Sequence, residues 1–329
     1  MACVLVHIEV DGAEPSDHAL AVLGEGRRIA SSLGAALYAA VVLAPGSETP
    51  PSALVTTLGQ GGADRIVCVT AALPQPALWA TVGPALATVC EHVRPSLVLL
   101  AASAGGRDVA PRLAARLGGA FIAEPGVETG PRGEVVLSRA VYGGDLWRRI
   151  SLDDLDVVAV ATLDDRRARA RGGDDAEVMQ LDTSVATDPR VEVLGATADD
   201  GAALERARVV VTAGAGVGPE AMALIERLAQ ALGAELGGTR GACARGHVPP
   251  AREIGVGARR IAPDLYVVCG ASGSVAHLGA VSIDAEIVAI DRDPQAPIFR
   301  AARWGLVGRV EDVVPGLLDA LAAGRGLGG

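Results

Sequence analysis

Leu265-Tyr266-Val267-Val268-Cys269-Gly270-Ala271-Ser272-Gly273-Ser274-Val275-Ala276-His277 is the stretch from which the architecture is read. Its first five residues form a continuous apolar run bounded by small residues, the pattern of a strand buried on both faces. The Gly and Ser residues that follow open into a short helical pattern from Val275 to Leu278. Strand, turn and helix start in that order predict one unit of a parallel α/β sheet. Such a turn offers backbone N–H groups to whatever lies above it, which suits an anion such as phosphate; taken alone, the same small residues more often form a plain connection.

The same pattern recurs on both sides. Arg208–Thr212 reads as a strand, Ala213-Gly214-Ala215-Gly216-Val217-Gly218 as a glycine-rich turn, and Pro219–Leu232 as the helix it feeds, with proline where a first turn tolerates it. The spacing lacks the third glycine of a dinucleotide fingerprint, and a following strand offers no clear candidate for the acidic ribose ligand, which argues against a self-sufficient NAD site. Downstream, Glu286–Ile290 is a strand ending in Asp291-Arg292-Asp293. Three strand ends, near Ala213, Gly270 and Asp291, therefore share one carboxyl edge, where open α/β sheets bind ligands. Between them Gly237–Pro263 is a long, Gly- and Pro-rich excursion with little periodicity, and loops of that length are usually functional. The expected ligand is extended and laid across several loops.

The first part of the chain alternates in the same way. Strands are predicted over Cys3–Val10, Ala36–Leu43, Asp64–Thr70 and Ser96–Ala101, with helices over Ser16–Leu33 (capped by Ser16, ended by Gly34), Pro76–Val93 and Arg107–Leu117. Arg107 and Asp108 are expected in the first turn of the last helix. Gly119–Ala123, Val135–Tyr142 and Val157–Thr162 read as strands extending the sheet, and Asp164–Asp175, DDRRARARGGDD, as a solvated connector. The fold class is thus α/β, with two doubly wound, Rossmann-like domains of mostly parallel strands, at 1–190 and 191–329.

Composition excludes several function classes. Half of the 329 residues are apolar and the formal charge is −10, which disfavours nucleic acid and anionic membranes as partners. Every basic residue is Arg, so Schiff-base chemistry and a P-loop lysine are excluded. The five cysteines have no CxxC spacing and read as reduced thiols. No uninterrupted apolar run reaches the length of a membrane span and no secretory leader is recognised, so a cytoplasmic location is expected. No metal-ligand spacing and no nucleophile with an adjacent base emerges. Phe299 and Trp304 read as packing anchors.

Longer motifs carry a family resemblance. Thr239, Arg245-Gly246-His247-Val248-Pro249, Ile261-Ala262-Pro263-Asp264-Leu265-Tyr266, Ser272-Gly273, His277-Leu278 and Asp293-Pro294-Gln295-Ala296-Pro297-Ile298-Phe299 resemble the C-terminal FAD domain of the electron-transfer flavoprotein alpha subunit. Gly106–Leu117 and Arg139–Gly144, reading RAVYGG, resemble that family's N-terminal domain. The resemblance implies a nucleotide-hydrolase-like first domain that pairs with a beta subunit, which in turn can hold AMP, and a second domain that holds FAD. It implies an electron carrier with no substrate of its own. Electrons would pass from flavin dehydrogenases, such as the acyl-CoA dehydrogenases of fatty acid β-oxidation, to a quinone oxidoreductase or another acceptor.

By position, the resemblance assigns cofactor contacts to Thr239, Arg240, Ile254, Gly255, Val256, Gly257, Ser272, Gly273, Ser274, Val275, Ala276, His277 and Asp291. Arg240 matches an arginine beside the isoalloxazine, and His277 is expected near the flavin O2, where both would stabilise negative charge on the one-electron-reduced ring. Without the resemblance, His277 reads rather as a capped, buried histidine than as a ligand. The sequence also departs from the family. Ala215 replaces an arginine, Val256-Gly257-Ala258 replaces Gln-Thr-Gly and loses a hydroxyl for flavin N5, Ala276 replaces a glutamine, Ala244 and Arg309 replace aspartates, and Asp291 replaces an asparagine. Each lost hydrogen bond costs about 1–3 kcal/mol. The expectation is FAD binding with an altered potential; the alternatives are a flavin-poor structural or regulatory subunit and a protein binding adenine nucleotide alone.

Overall fold

The computed structural model describes residues 3–11, 14–47, 49–72, 75–131, 134–141, 146–155, 157–163, 176–185, 188–194, 201–282 and 284–325. The expected connector Asp164–Asp175 and the end of the RAVYGG motif, Tyr142–Gly144, lie outside them. The chain divides into two units, Met1–Leu194 and Gly195–Gly329.

In the first unit seven strands form one sheet in the order Glu177–Val185, Arg65–Ala71, Ala36–Leu43, Cys3–Ile8, Leu97–Ala101, Ala159–Leu163, Ala120–Ala123. Every pairing in it is parallel. Side chains alternate along a strand, so Val4, Val6 and Ile8 pack under the helices Asp17–Leu33 and Ser52–Gln60. Leu5 packs on the other face with Trp79–Val93 and Ala104–Leu117. Ser16 caps its helix by accepting from the Ala19 N–H at 3.1 Å, and Gly34 ends it in the left-handed conformation. The Ser52–Gln60 helix was not legible in the sequence.

Two expectations for the first unit need correction. Val135–Val141 does not extend the parallel sheet; it is the middle strand of a separate antiparallel sheet with Gly126–Thr129 and Leu146–Ser151. Its apolar run is explained by Val135 and Leu137, which pack into the core beneath the Asp17–Leu33 helix. Arg107 and Asp108 lie in the second turn of their helix, because Ser103 caps it and Ala104 begins it. Asp108 accepts from the Trp79 N–H at 2.8 Å, which joins the starts of two helices, and Arg107 pairs with Glu124.

The second unit is a five-stranded parallel sheet in the order Glu235–Gly238, Val209–Ala213, Leu265–Cys269, Glu286–Asp291, Trp304–Val307. Counted along this unit the order is 2-1-3-4-5. The chain therefore departs to opposite sides after its first and second strands, and the crevice opens between Val209–Ala213 and Leu265–Cys269. The helices Pro219–Leu232 and Val310–Arg325 cover one face, while the other packs Leu204, Ile254, Tyr266, Val268 and Ile298. Phe299 packs against this second core, but Trp304 is 49% exposed and lies outside it, with the Arg303 guanidinium 4.9 Å from its ring centroid, which corrects its reading as a packing anchor. The cysteines are unpaired, and all but Cys243 are buried. No helix among the described residues is long and apolar enough to cross a membrane.

Candidate functional site

At the crevice the turns after Ala213 and Cys269 are locked together. The Gly214 N–H donates to the Cys269 carbonyl at 2.8 Å and the Gly216 N–H to the Gly270 carbonyl at 3.1 Å. A Cβ at Gly214 would fall 2.0 Å from the Gly270 oxygen, so this approach is open to glycine alone. Gly270 and Gly273 have φ of 64° and 78°. These reversals leave the N–H groups of Ala271, Ser272, Gly273 and Ser274 without a hydrogen-bond partner among the described residues. A succession of unspent N–H groups at the mouth of a crevice is an anion-binding concavity.

A cleft of about 820 Å³ lies above these turns, within the range of roughly 300–1,000 Å³ usual for ligand sites. It gathers Thr239, Arg240, Ile254, Gly255, Val256, Gly257, Ser272, Gly273, Ser274, Ala276, His277 and Asp291 from four separate segments. Val275 is not among its walls and is 80% exposed. Thr239 caps the short Arg240–Ala244 helix by accepting from the Ala242 N–H at 3.4 Å, which leaves its own O–H to donate. Arg240 begins that helix and is exposed at the rim. The Ile254–Gly257 loop is tied to the turn opposite, the Val256 N–H donating to the Ala276 carbonyl at 2.8 Å. Asp291 accepts from the Asp293 N–H at 2.9 Å and closes the far end.

Three charged residues of the cleft, Glu253, Arg292 and Asp293, were not singled out from the sequence as ligand contacts. Arg292 and Asp293 belong to a strand end already read as part of the ligand edge, so their position was legible though their role was not. Tyr266 was missed altogether, since it reads as one apolar residue of a buried strand. Its hydroxyl lies 2.8 Å from His277 Nε2, and His277 Nδ1 lies 3.1 Å from the Ile254 carbonyl oxygen. Burial lowers the His277 pKa, against the hydrogen bond to Ile254, and pushes that of Tyr266 upward. Both are neutral near pH 7.

Residues 4–186 match the Electron transfer flavoprotein domain, and residues 203–282 match the Electron transfer flavoprotein FAD-binding domain. An electron transfer flavoprotein subunit alpha from Bacillus subtilis is 36% identical over 70% of this chain and 72% of its own length. The chain belongs to the electron transfer flavoprotein alpha-subunit family. Another subunit alpha, from Thermoanaerobacterium thermosaccharolyticum, is 29% identical over 92% of both chains, and Protein FixB of Clostridium saccharobutylicum is 28% identical over 96% of this chain and 95% of its own. All of the cleft walls except Asp291, Arg292 and Asp293 fall within the segment matching the family's FAD-binding domain.

The residues present fit a flavin nucleotide of this family. The unspent N–H groups of Ala271–Ser274, with Arg240 and Arg292, supply donors and positive charge for phosphate, while Ile254 and Val256 supply apolar wall. The acidic side chains of Glu253, Asp291 and Asp293 suit hydroxyl groups rather than phosphates. At Gly257 a Cβ meets no atom within 4 Å, so the loop has room for a side chain it does not carry.

Proposed function

We propose that this electron transfer flavoprotein alpha subunit holds FAD in the cleft at the switch point of its second unit and works as an electron carrier. The observation that carries the reading is the run of unspent N–H groups at Ala271–Ser274, flanked by two arginines, within the segment that matches the FAD-binding domain. In this reading the Ala271–Ser274 turn binds the pyrophosphate. Thr239 and Arg240 flank the isoalloxazine together with the Ile254–Gly257 loop, and Asp291 receives a hydroxyl of the adenosine half. When bound, FAD supplies the conversion between one- and two-electron steps; the protein sets its orientation and potential.

The first unit, in the same reading, pairs with a beta subunit, which holds AMP. Flavin dehydrogenases such as acyl-CoA dehydrogenases donate electrons and a quinone oxidoreductase accepts them, in the cytoplasm. The family likeness supports the pairing with a beta subunit. Co-expression with a beta subunit of the family and purification of the complex give the test. About one FAD per heterodimer, identified by visible spectrum and chromatography after heat release, is the expected result. A colourless complex that also refuses added FAD would leave the flavin-poor scaffold, and release of AMP or ATP without flavin would select an adenine-nucleotide protein.

A further inference from the structure

The Ile254–Gly257 loop walls the cleft with backbone more than with side chains: two of its four residues are glycine, and Val256 is 47% exposed. Its place is therefore set at its base. Ile254 is buried in the same core as Leu204, and its N–H donates to the Gly238 carbonyl at 2.8 Å. The Gly255 N–H donates to the Arg259 carbonyl at 3.1 Å and the Arg259 N–H to the Glu253 carbonyl at 3.0 Å, so Glu253 and Arg259 close the loop. Arg259 is not among the cleft walls. Its Nε donates to the Ala251 carbonyl, in the turn that leads into the loop, and its Nη1 donates to Glu205 Oε1 at 3.0 Å. The Arg259 and Glu205 side chains are 19% and 27% exposed, so water screens the pair only in part. Gly201, which precedes the Glu205 helix, completes the seat: a Cβ there would fall 2.0 Å from the Ala251 oxygen and 2.2 Å from Arg259 Nε.

We infer that Arg259, held by Glu205, is a positioning residue of the cofactor cleft: it fixes the Ile254–Gly257 loop in the cleft wall without lining the cleft itself. One planar group ties together the Ala202–Arg206 helix, the Pro250–Arg252 turn before the loop and the chain that leaves it. A guanidinium suits this task because its N–H groups diverge in one rigid plane, whereas an ammonium on a flexible stem fixes no direction. Its bond to a carboxylate is also roughly twice as strong as a neutral one. The turn that Arg259 grips is itself held, since Arg252 donates to Glu235 Oε2 at 2.9 Å and to the Leu236 carbonyl at 3.0 Å. Loops with few buried apolar contacts open locally at low cost. An anchor at the base then governs how often this one leaves the wall.

That the loop meets a flavin rests on the proposed FAD site; that Arg259 and Glu205 fix the loop does not, and the experiment separates the two. Backbone amide exchange is followed in flavin-free heterodimer, wild type and Glu205→Ala, at the five bonded amides of Ile254, Gly255, Val256, Ala258 and Arg259, with the Pro219–Leu232 helix as reference. The loop amides are expected to exchange about tenfold faster in the variant while the helix amides keep their rates. Glu205→Gln keeps an oxygen acceptor at the same reach and should fall between the two. On titration with FAD, Glu205→Ala should bind about three- to tenfold more weakly, and Glu205→Gln less so. Wild-type loop rates in a folded Glu205→Ala overturn the inference, as does a faster loop with unchanged FAD affinity. Equal acceleration of loop and helix amides overturns it too, because the pair then stabilises the unit as a whole. Should Glu205→Ala not fold, Glu205→Gln decides by the same comparisons. A wild-type heterodimer that takes up no FAD removes the proposed function and leaves the loop rates to decide the inference.

Discussion

Gly257 and Gly273 both line the cleft, and a side chain added at each meets an opposite fate. At Gly257 the new Cβ points into open space, and the loop around it is tied by the Val256 N–H to the Ala276 carbonyl and by the Ala258 N–H to the Gly255 carbonyl. Gly257→Thr therefore adds a hydroxyl without moving the loop. If that hydroxyl meets the cofactor, one neutral hydrogen bond worth about 0.5–1.5 kcal/mol tightens FAD roughly two- to tenfold, read by titrating flavin-free heterodimer. An unchanged affinity would mean that position 257 does not face the flavin. At Gly273 φ is 78° and a Cβ falls 2.6 Å from the Ile298 Cα, a collision between two backbones. Gly273→Ala is expected to destabilise the second unit by about 1–3 kcal/mol in urea unfolding and to weaken FAD, because the Ala271–Ser274 turn must open. Composition marks neither difference: both residues are glycines in small-residue loops, and only the neighbour across the fold separates them. The Tyr266–His277 pair escaped sequence reading for the same reason, since one residue lies on a strand and the other on the short helix after the turn, and no single periodicity connects them.

Helices and strands were legible where the local pattern alone decides them. The Asp17–Leu33 and Pro219–Leu232 helices carry their start and stop signals in sequence, and the strand and helix around the Gly270 turn follow from an apolar run and its punctuation. Sheet membership was less legible, because an apolar run such as Val135–Val141 reads alike in a parallel sheet and in a hairpin packed on the same core. Caps allow the two serine-started helices of the first unit to be compared. Ser16 accepts from one N–H, and Ser16→Ala should cost about 1 kcal/mol. Ser103 accepts from the Gly106 N–H at 2.9 Å and also donates to Glu9 Oε1 at 2.5 Å. Burial raises the Glu9 pKa, and the bonds from Ser103 and Gly106 hold it back. Ser103→Ala removes a cap and strips a half-buried carboxylate of a donor, so its cost should reach about 2–3 kcal/mol. The reversed order of urea midpoints would contradict this account of Glu9.

For the whole chain, the formal charge of −10 does not say how stability responds to pH. That response is set in part by His7, a ring in the first strand of the seven-stranded sheet. It is 2% exposed, its Nδ1 has no partner among the described residues, and it packs on the face that Leu5 shares with the Trp79–Val93 and Ala104–Leu117 helices. Burial lowers its pKa from 6.5 to about 4. Above pH 6.5 the ring is neutral whether the chain is folded or not, and stability is insensitive to it. As pH falls from 6.5 toward 4 the unfolded chain binds a proton that the folded chain refuses, so stability is lost across that window and levels off below it. The full loss is on the order of 3 kcal/mol, a large part of the roughly 5–15 kcal/mol that holds a domain together. His7→Met fills a similar volume and removes the titrating group. Urea unfolding of both proteins at pH 7 and pH 4.5 should show the wild type losing more stability than the variant, by an amount approaching that figure. Groups common to both, Glu9 among them, cancel in the comparison. Parallel losses in the two proteins would mean that the His7 ring meets water or a partner in solution and titrates near its ordinary value.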